Sequence, residues 1–215
     1  MIELRLYNRA LVGAALALLA WASPAICLQA ARDQRPSEAL QPQEPATRLE
    51  KLMLRKSVLV VKEAHIIGAV PGLEGTEVRI EALALTVPAE RERVFGVRLV
   101  RAAPRREAAE LSALVDFDEL ASFKEALDYM LRAATEAKPP DESSAGGAVS
   151  TTEFTILTRG GVKAALVQTG RQFTGLVRVG RAGEEGEVSF GIGALGRLRA
   201  LLSQARDRLV ALGAK

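Results

Sequence analysis

The chain has 215 residues, a formal net charge of +3 and 48% hydrophobic residues, but only 4% aromatic ones. Its one cysteine, Cys27, excludes an internal disulfide. Its one histidine, His65, leaves no ready base for a catalytic triad and few ligands for a metal.

Met1 to Ala25 reads as an export signal. Arg5 and Arg9 form a positive n-region diluted by Glu3, Ala10 to Ala22 is uncharged and apolar, and Ser23-Pro24-Ala25 offers small residues for cleavage after Ala25. The competing reading is an uncleaved anchor, because the charge-free run from Ala10 to Ala31 could just span a bilayer. Cys27 raises lipoprotein attachment, but Ile26 stands where a lipobox needs a small residue. Residues 26–48 follow as a polar tether; Ala31 to Thr47 holds three prolines and no apolar period.

From Leu49 the composition turns globular. Ser57 to Ile67 is rich in β-branched residues and reads as a strand, closed by a turn at Val70-Pro71-Gly72-Leu73-Glu74-Gly75. Thr76 to Val87 alternates: Val78, Ile80, Ala82 and Ala84 on one face, Glu77, Arg79 and Glu81 on the other. Pro88-Ala89-Glu90 breaks it. Arg93 to Arg101 is a third strand, and Pro104 to Glu107 a charged loop.

Glu110 to Arg132 is the most informative stretch. Leu111, Ala113, Val115 and Phe117 keep a period of two, which predicts a half-buried strand. After Asp118 the period becomes helical, with Leu120, Phe123, Leu127, Met130 and Leu131 in one stripe. Asp118 suits an N-cap and Glu119 the positive end of the helix dipole. One long helix from Glu107 to Ala134 competes on propensity, but the stripe loses helical phase at Val115 and Phe117. Asp116, Asp118 and Glu119 could be a metal site or carboxylate pair; the plainer reading is a cap plus solvated charges.

Residues 136–151 are Pro-, Gly- and Ser-rich and read as a surface connection. The pattern then repeats with shorter strands: Thr152 to Thr158, a tight turn at Arg159-Gly160-Gly161, Val162 to Thr169, a turn at Gly170-Arg171-Gln172, Phe173 to Val179, and Glu187 to Phe190. Leu195, Leu198, Leu201, Leu202, Ala205, Leu209 and Leu212 line a closing helix. The expected fold is therefore α+β: two ββββα units, antiparallel sheets each followed by an amphipathic helix, packed as one domain, with residues 49–135 and 152–215 as the halves. Overlaying them sets Thr76 to Ile80 on Thr152 to Ile156, and Asp118, Leu120, Phe123 and Leu127 on Gly193, Leu195, Leu198 and Leu202.

Recognised chemistry is sparse. The chain has no G-x-S-x-G elbow, no Walker glycine-lysine loop and no G-x-G-x-x-G opening a helix after a strand. The glycine-rich run Gly180 to Gly186 carries Glu184 and Glu185, which repel phosphate, and reads as a hairpin loop. His65 reads as a satisfied or edge-exposed strand residue. Charge is uneven: from Thr152 on, Arg159, Lys163, Arg171, Arg178, Arg181, Arg197, Arg199, Arg206, Arg208 and Lys215 face only Glu153, Glu184, Glu185, Glu187 and Asp207. A basic half can bind nucleic acid, anionic lipid or acidic glycan, with Arg159, Lys163, Arg171 and Arg178 as the candidate polyanion contacts. No aromatic residues interleave for base stacking, so an ordinary solvated face is the simpler reading.

At Val115-Asp116-Phe117-Asp118-Glu119-Leu120, with Thr152-Glu153-Phe154-Thr155-Ile156-Leu157-Thr158 and the closing helix containing Ser203-Gln204-Ala205-Arg206-Asp207-Arg208-Leu209, the chain resembles an uncharacterised family of bacterial exported proteins. The resemblance spans Ser57 to Leu212 and implies no catalytic residues. The duplicated ββββα order also resembles the plant Whirly single-stranded-DNA-binding fold, in topology alone, since the lysine-rich Whirly signature is missing.

These readings point to an exported, non-enzymatic binding or structural module with no cofactor. Export places it in the periplasm, at the cell surface or outside a bacterium, with an N-terminal membrane anchor as the alternative. The expected partner is a protein, a glycan or another envelope component. Nucleic acid is not expected, and the membrane enters only through an uncleaved N-terminal segment. Single-stranded nucleic-acid or other polyanion binding through the basic half is the alternative; a hydrolase with an unrecognised carboxylate site comes third.

Overall fold

A computed structural model describes residues 44–102, 110–136, 150–180 and 186–215, which form one compact unit. The expected signal, most of the tether, the Pro104–Glu107 loop, most of the 136–151 connection and the centre of the Gly180–Gly186 loop lie outside the described residues.

Two four-stranded antiparallel meanders carry the fold, each followed by a helix, as the alternation and helical stripes predict. The first sheet is β1 (Val61–Pro71), β2 (Glu77–Val87), β3 (Glu92–Ala102) and β4 (Leu111–Asp116). A short 3-10 turn, Phe117–Glu119, leads into a long helix at Leu120–Glu136. The second sheet is β5 (Thr151–Leu157), β6 (Lys163–Thr169), β7 (Gln172–Val179) and β8 (Gly186–Phe190), followed by a helix at Ile192–Ala211. A further short helix, Arg48–Met53, precedes the first sheet. In chain order the helices are α1 (Arg48–Met53), α2 (Leu120–Glu136) and α3 (Ile192–Ala211).

Both sheets and both long helices share one core. Val78, Ile80, Ala82, Val97, Leu99 and Val115 of the first sheet meet Ala164, Leu166, Val177, Val188 and Phe190 of the second. Leu120, Phe123, Leu127 and Met130 of α2 and Leu195, Leu198, Leu202, Ala205 and Leu209 of α3 close it, so both helical stripes fall where the spacing puts them. The helices cross between the repeats. α3 packs along α2 and over β1 and β2, besides touching β7 and β8, while α2 reaches β5. That crossing needs a close approach at Gly68 of β1, where an added Cβ would lie 2.8 Å from Leu201 Cδ2 of α3.

The structure corrects several expectations. The first strand begins at Val61 and runs to Pro71, later at both ends than Ser57 to Ile67. Ser57 sits at φ 59°, a left-handed conformation outside the strand region, and Val58 and Val60 pack against the apolar cluster that α1 shares with the first sheet instead of pairing. A register shift between Ile66 and Gly68 lets the pairing continue to Pro71, tolerated because β1 is an edge strand. Asp116, and not Asp118, stands at the N-cap position before the turn into α2. Its backbone is still extended, and its N–H donates to the Glu119 carboxylate at 3.4 Å. The repeat overlay is right at its helical end, but Thr76 to Ile80 enters β2 whereas Thr152 to Ile156 lies in β5. Strand for strand β5 answers β1. The strands of the first half are longer, so no single offset fits both ends.

The second face of the first sheet is not the solvated one that alternation predicts. Leu49 and Leu52 of α1 cover Leu83, Leu85, Val87, Val94 and Leu114 there, and β2 is buried on both sides over much of its length. Glu81, expected to point to water, is 4% exposed.

Candidate functional site

The end of β4 is where the two repeats are joined. Asp116 is 1% exposed, and its carboxylate accepts the N–H groups of Arg48 at 2.8 Å and Leu49 at 3.2 Å. It thereby satisfies N–H groups at the start of α1 that have no partner within that helix. Thr47 adds a second cap: its hydroxyl accepts the Glu50 N–H at 3.1 Å, and the Glu50 carboxylate accepts the Thr47 N–H at 3.0 Å.

Against this acidic corner sits the β5–β6 turn. Thr158 closes the turn by accepting the Val162 N–H on its hydroxyl at 3.0 Å, and Gly161 supplies a left-handed residue at φ 83°. Gly160 rests directly on β4: a Cβ there would come within 1.8 Å of the Leu114 carbonyl oxygen. Arg159 is thus delivered into the carboxylates. Its N–H donates to Glu119 Oε1 at 2.8 Å, its Nη2 lies 2.6 Å from Asp118 Oδ1 and 3.5 Å from Asp116 Oδ2, and its Nε lies 3.2 Å from Glu119 Oε2. Burial works against the guanidinium's charge, but Glu119 and Asp118 more than offset it and raise its pKa. The three acids that could be read as a metal or carboxylate site are therefore engaged in capping and pairing. Among the described residues no group of three or more His, Cys, Asp or Glu side chains is arranged to hold a metal ion.

Beside this corner lies a cleft of about 390 Å³ between the start of α1, the β2–β3 turn and the C-terminal end of α3. Its cations are Arg48, Arg91, Arg93 and Lys215; its apolar wall is Val94, Phe95 and Phe117; its acids are Asp116 and Asp118. Each cation is placed by a distinct local feature. Arg48 opens α1. Arg91 ends the turn at Pro88 in a left-handed conformation, φ 51°. Arg93 lies across Phe95 with its guanidinium carbon 5.0 Å from the ring centroid, and its Nη1 donates to the Leu212 carbonyl at 2.7 Å. Gly213, at φ 103°, ends α3, with the Ala214 N–H donating back to Leu209 O at 2.9 Å, and so turns Lys215 toward the cleft.

The electrostatics of the cleft are one-sided. The side chains of Arg48, Arg91 and Lys215 have no ion-pair or hydrogen-bond partner among the described residues. Asp116 is held by α1, and Asp118 is held by Arg159. The side chains lining the cleft that have no partner of their own are cationic or apolar.

The four cations picked out in the basic half do not converge. Lys163 and Arg178 are brought together as register partners on β6 and β7. Each has an acid of its own: Lys163 Nζ is 2.7 Å from Glu153 and Arg178 Nη2 is 3.2 Å from Glu187. The Glu153 carboxyl is held below the usual range by Lys163 first and the Thr155 hydroxyl second. Arg171 lies in the β6–β7 turn, and Arg159 in the acidic corner. His65 lies on edge strand β1, its Nε2 2.9 Å from Glu63 and its Nδ1 3.3 Å from Arg208. The sequence reading missed the cleft cations. Thr47-Arg48-Leu49-Glu50 is a capping-box signature and could have placed Arg48 at a helix start; nothing local places Arg91, Arg93 and Lys215 beside it.

Among the described residues no helix is long and apolar enough to cross a membrane. The chain matches no protein-family model, no curated protein and no solved structure.

Proposed function

We propose that this protein is an exported, non-enzymatic binding module that takes a small anionic ligand in the cleft between α1, the β2–β3 turn and the end of α3. The observation that carries the reading is the unpaired set Arg48, Arg91 and Lys215 converging on a cleft whose two acids are already engaged. Guanidinium groups prefer carboxylate and phosphate oxygens, and a concave site strengthens their pull. Val94, Phe95 and Phe117 add an apolar wall, so the ligand class is an oxyanion attached to an apolar body. The basic-half alternative has less to rest on, because Lys163 and Arg178 each face an acid.

The test is titration of the protein with inorganic pyrophosphate, citrate and phenyl phosphate, read by calorimetry and thermal melting, with spermidine as the cationic control. An anion at a hundred times its Kd should stabilise the fold by about 2.7 kcal/mol. Arg48→Gln combined with Arg91→Gln should abolish that shift without lowering the melting temperature of the free protein. No response to any of the three anions, or an unchanged response in the double variant, overturns the reading.

Export rests on Arg5 and Arg9, the Ala10–Ala22 run and the small residues before Ile26. Sequencing of the mature N terminus should begin at Ile26; an intact Met1 on membrane-bound protein would replace export with an anchor.

A further inference from the structure

We propose that Arg159, contributed by the second repeat, tunes the anion affinity of the cleft from outside it, by offsetting the charge of Asp118. This rests on the anion-binding reading above and deepens it. Asp118 is the one acid on the cleft wall that is open to solvent, its side chain 59% exposed, whereas Asp116 is 1% exposed and fixed by two backbone N–H groups. Arg159 does not line the cleft, yet its Nη2 lies 2.6 Å from Asp118 Oδ1 and 3.5 Å from Asp116 Oδ2. With the guanidinium in place, the Asp118 charge is offset by a cation outside the cleft lining, which Glu119 and Asp116 share. Without it, Asp118 presents a full negative charge beside Arg48 and Arg91 and repels the ligand they attract. Arg159 is therefore a positioning residue. Its seat in the β5–β6 turn, with Gly160 against β4, ties cleft charge to the docking of one repeat on the other.

The experiment measures inorganic pyrophosphate affinity by calorimetry for the full chain and four variants. Arg159→Gln should weaken binding five- to tenfold, the order expected of one added like charge near the protein surface. Arg159→Lys should retain most of the affinity. Arg159→Gln with Asp118→Asn should restore it, a rescue that loss of structure would not give. Asp118→Asn alone should bind more tightly than the parent, because one negative charge leaves the cleft wall while Glu119 and Asp116 still hold Arg159 in place; this variant keeps every backbone contact of the turn and decides the matter if Arg159→Gln fails to fold. Equal affinity in the parent, Arg159→Gln and Asp118→Asn would overturn the role of Arg159 while leaving the anion site intact. Failure of the parent to bind pyrophosphate, citrate and phenyl phosphate would instead remove the site itself.

Discussion

Glu81 shows how far a single residue's fate is decided by its neighbours. It lies on β2 among alternating charges, yet it is 4% exposed. Arg98 stands directly opposite on β3 and donates to Glu81 Oε2 from Nε at 2.8 Å, while Arg79 Nε donates to Oε1 at 3.1 Å. Burial raises the carboxyl's pKa, but Arg98 and then Arg79 outweigh it and hold the group below the ordinary range. A folded value below the unfolded one means stability that is present above the ordinary glutamate value of about 4.3 and is lost as pH falls through the folded value. Glu81→Ala leaves Arg98 without its carboxylate and Arg79 with the exposed Glu110 alone. Breaking a buried pair costs about 3–5 kcal/mol, discounted here to about 2–3 because both arginines are partly exposed. Urea denaturation at pH 7 should show that gap, and at pH 3 the gap should narrow. Equal stability at pH 7, or the same gap at both pH values, would show that the network does not hold the sheet.

At the scale of elements, α1 is the clearest lesson. It is a six-residue helix, too short to persist alone. It exists because Thr47 and Asp116 cap it and because Leu49 and Leu52 bury against β2, β3 and β4. One cap is local and legible as Thr47 with Glu50; the other comes from 68 positions away and is not. Leu52 is 1% exposed, so Leu52→Ala should cost about 2–5 kcal/mol. The urea midpoint should fall accordingly; a change below about 0.5 kcal/mol, the usual range of a surface substitution, would mean that α1 does not seal this face. The long helices were easier, because each repeats its apolar positions often enough to fix a face. The strands of the first sheet were legible wherever one side is wet. β2 misled because it is buried on both sides, so the polarity of its second face carries no signal of exposure.

At the scale of the molecule, the two repeats do not fold side by side as independent halves. Each long helix reaches the sheet of the other repeat, and one cluster of buried residues contains side chains from both sheets. Arg159 and Gly160 pin the β5–β6 turn to the end of β4 at the rim of that core. The order of the eight strands and two long helices, and the faces of those helices, were fixed by local periodicity, which needs no knowledge of partners: apolar residues recur at a period of two or about 3.6, and the chain folds to bury them. The tight turn at Arg159-Gly160-Gly161 was legible for the same reason, since glycine marks the backbone directly. What the tertiary structure alone decided is which charges meet. Arg48, Arg91, Arg93 and Lys215 are far apart along the chain, and Arg159 comes from a half in which it looked like a surface cation. Coulomb interactions depend on distance in space, and no spacing along this chain encodes the crossing of α2 and α3 that brings those distances within a few ångströms.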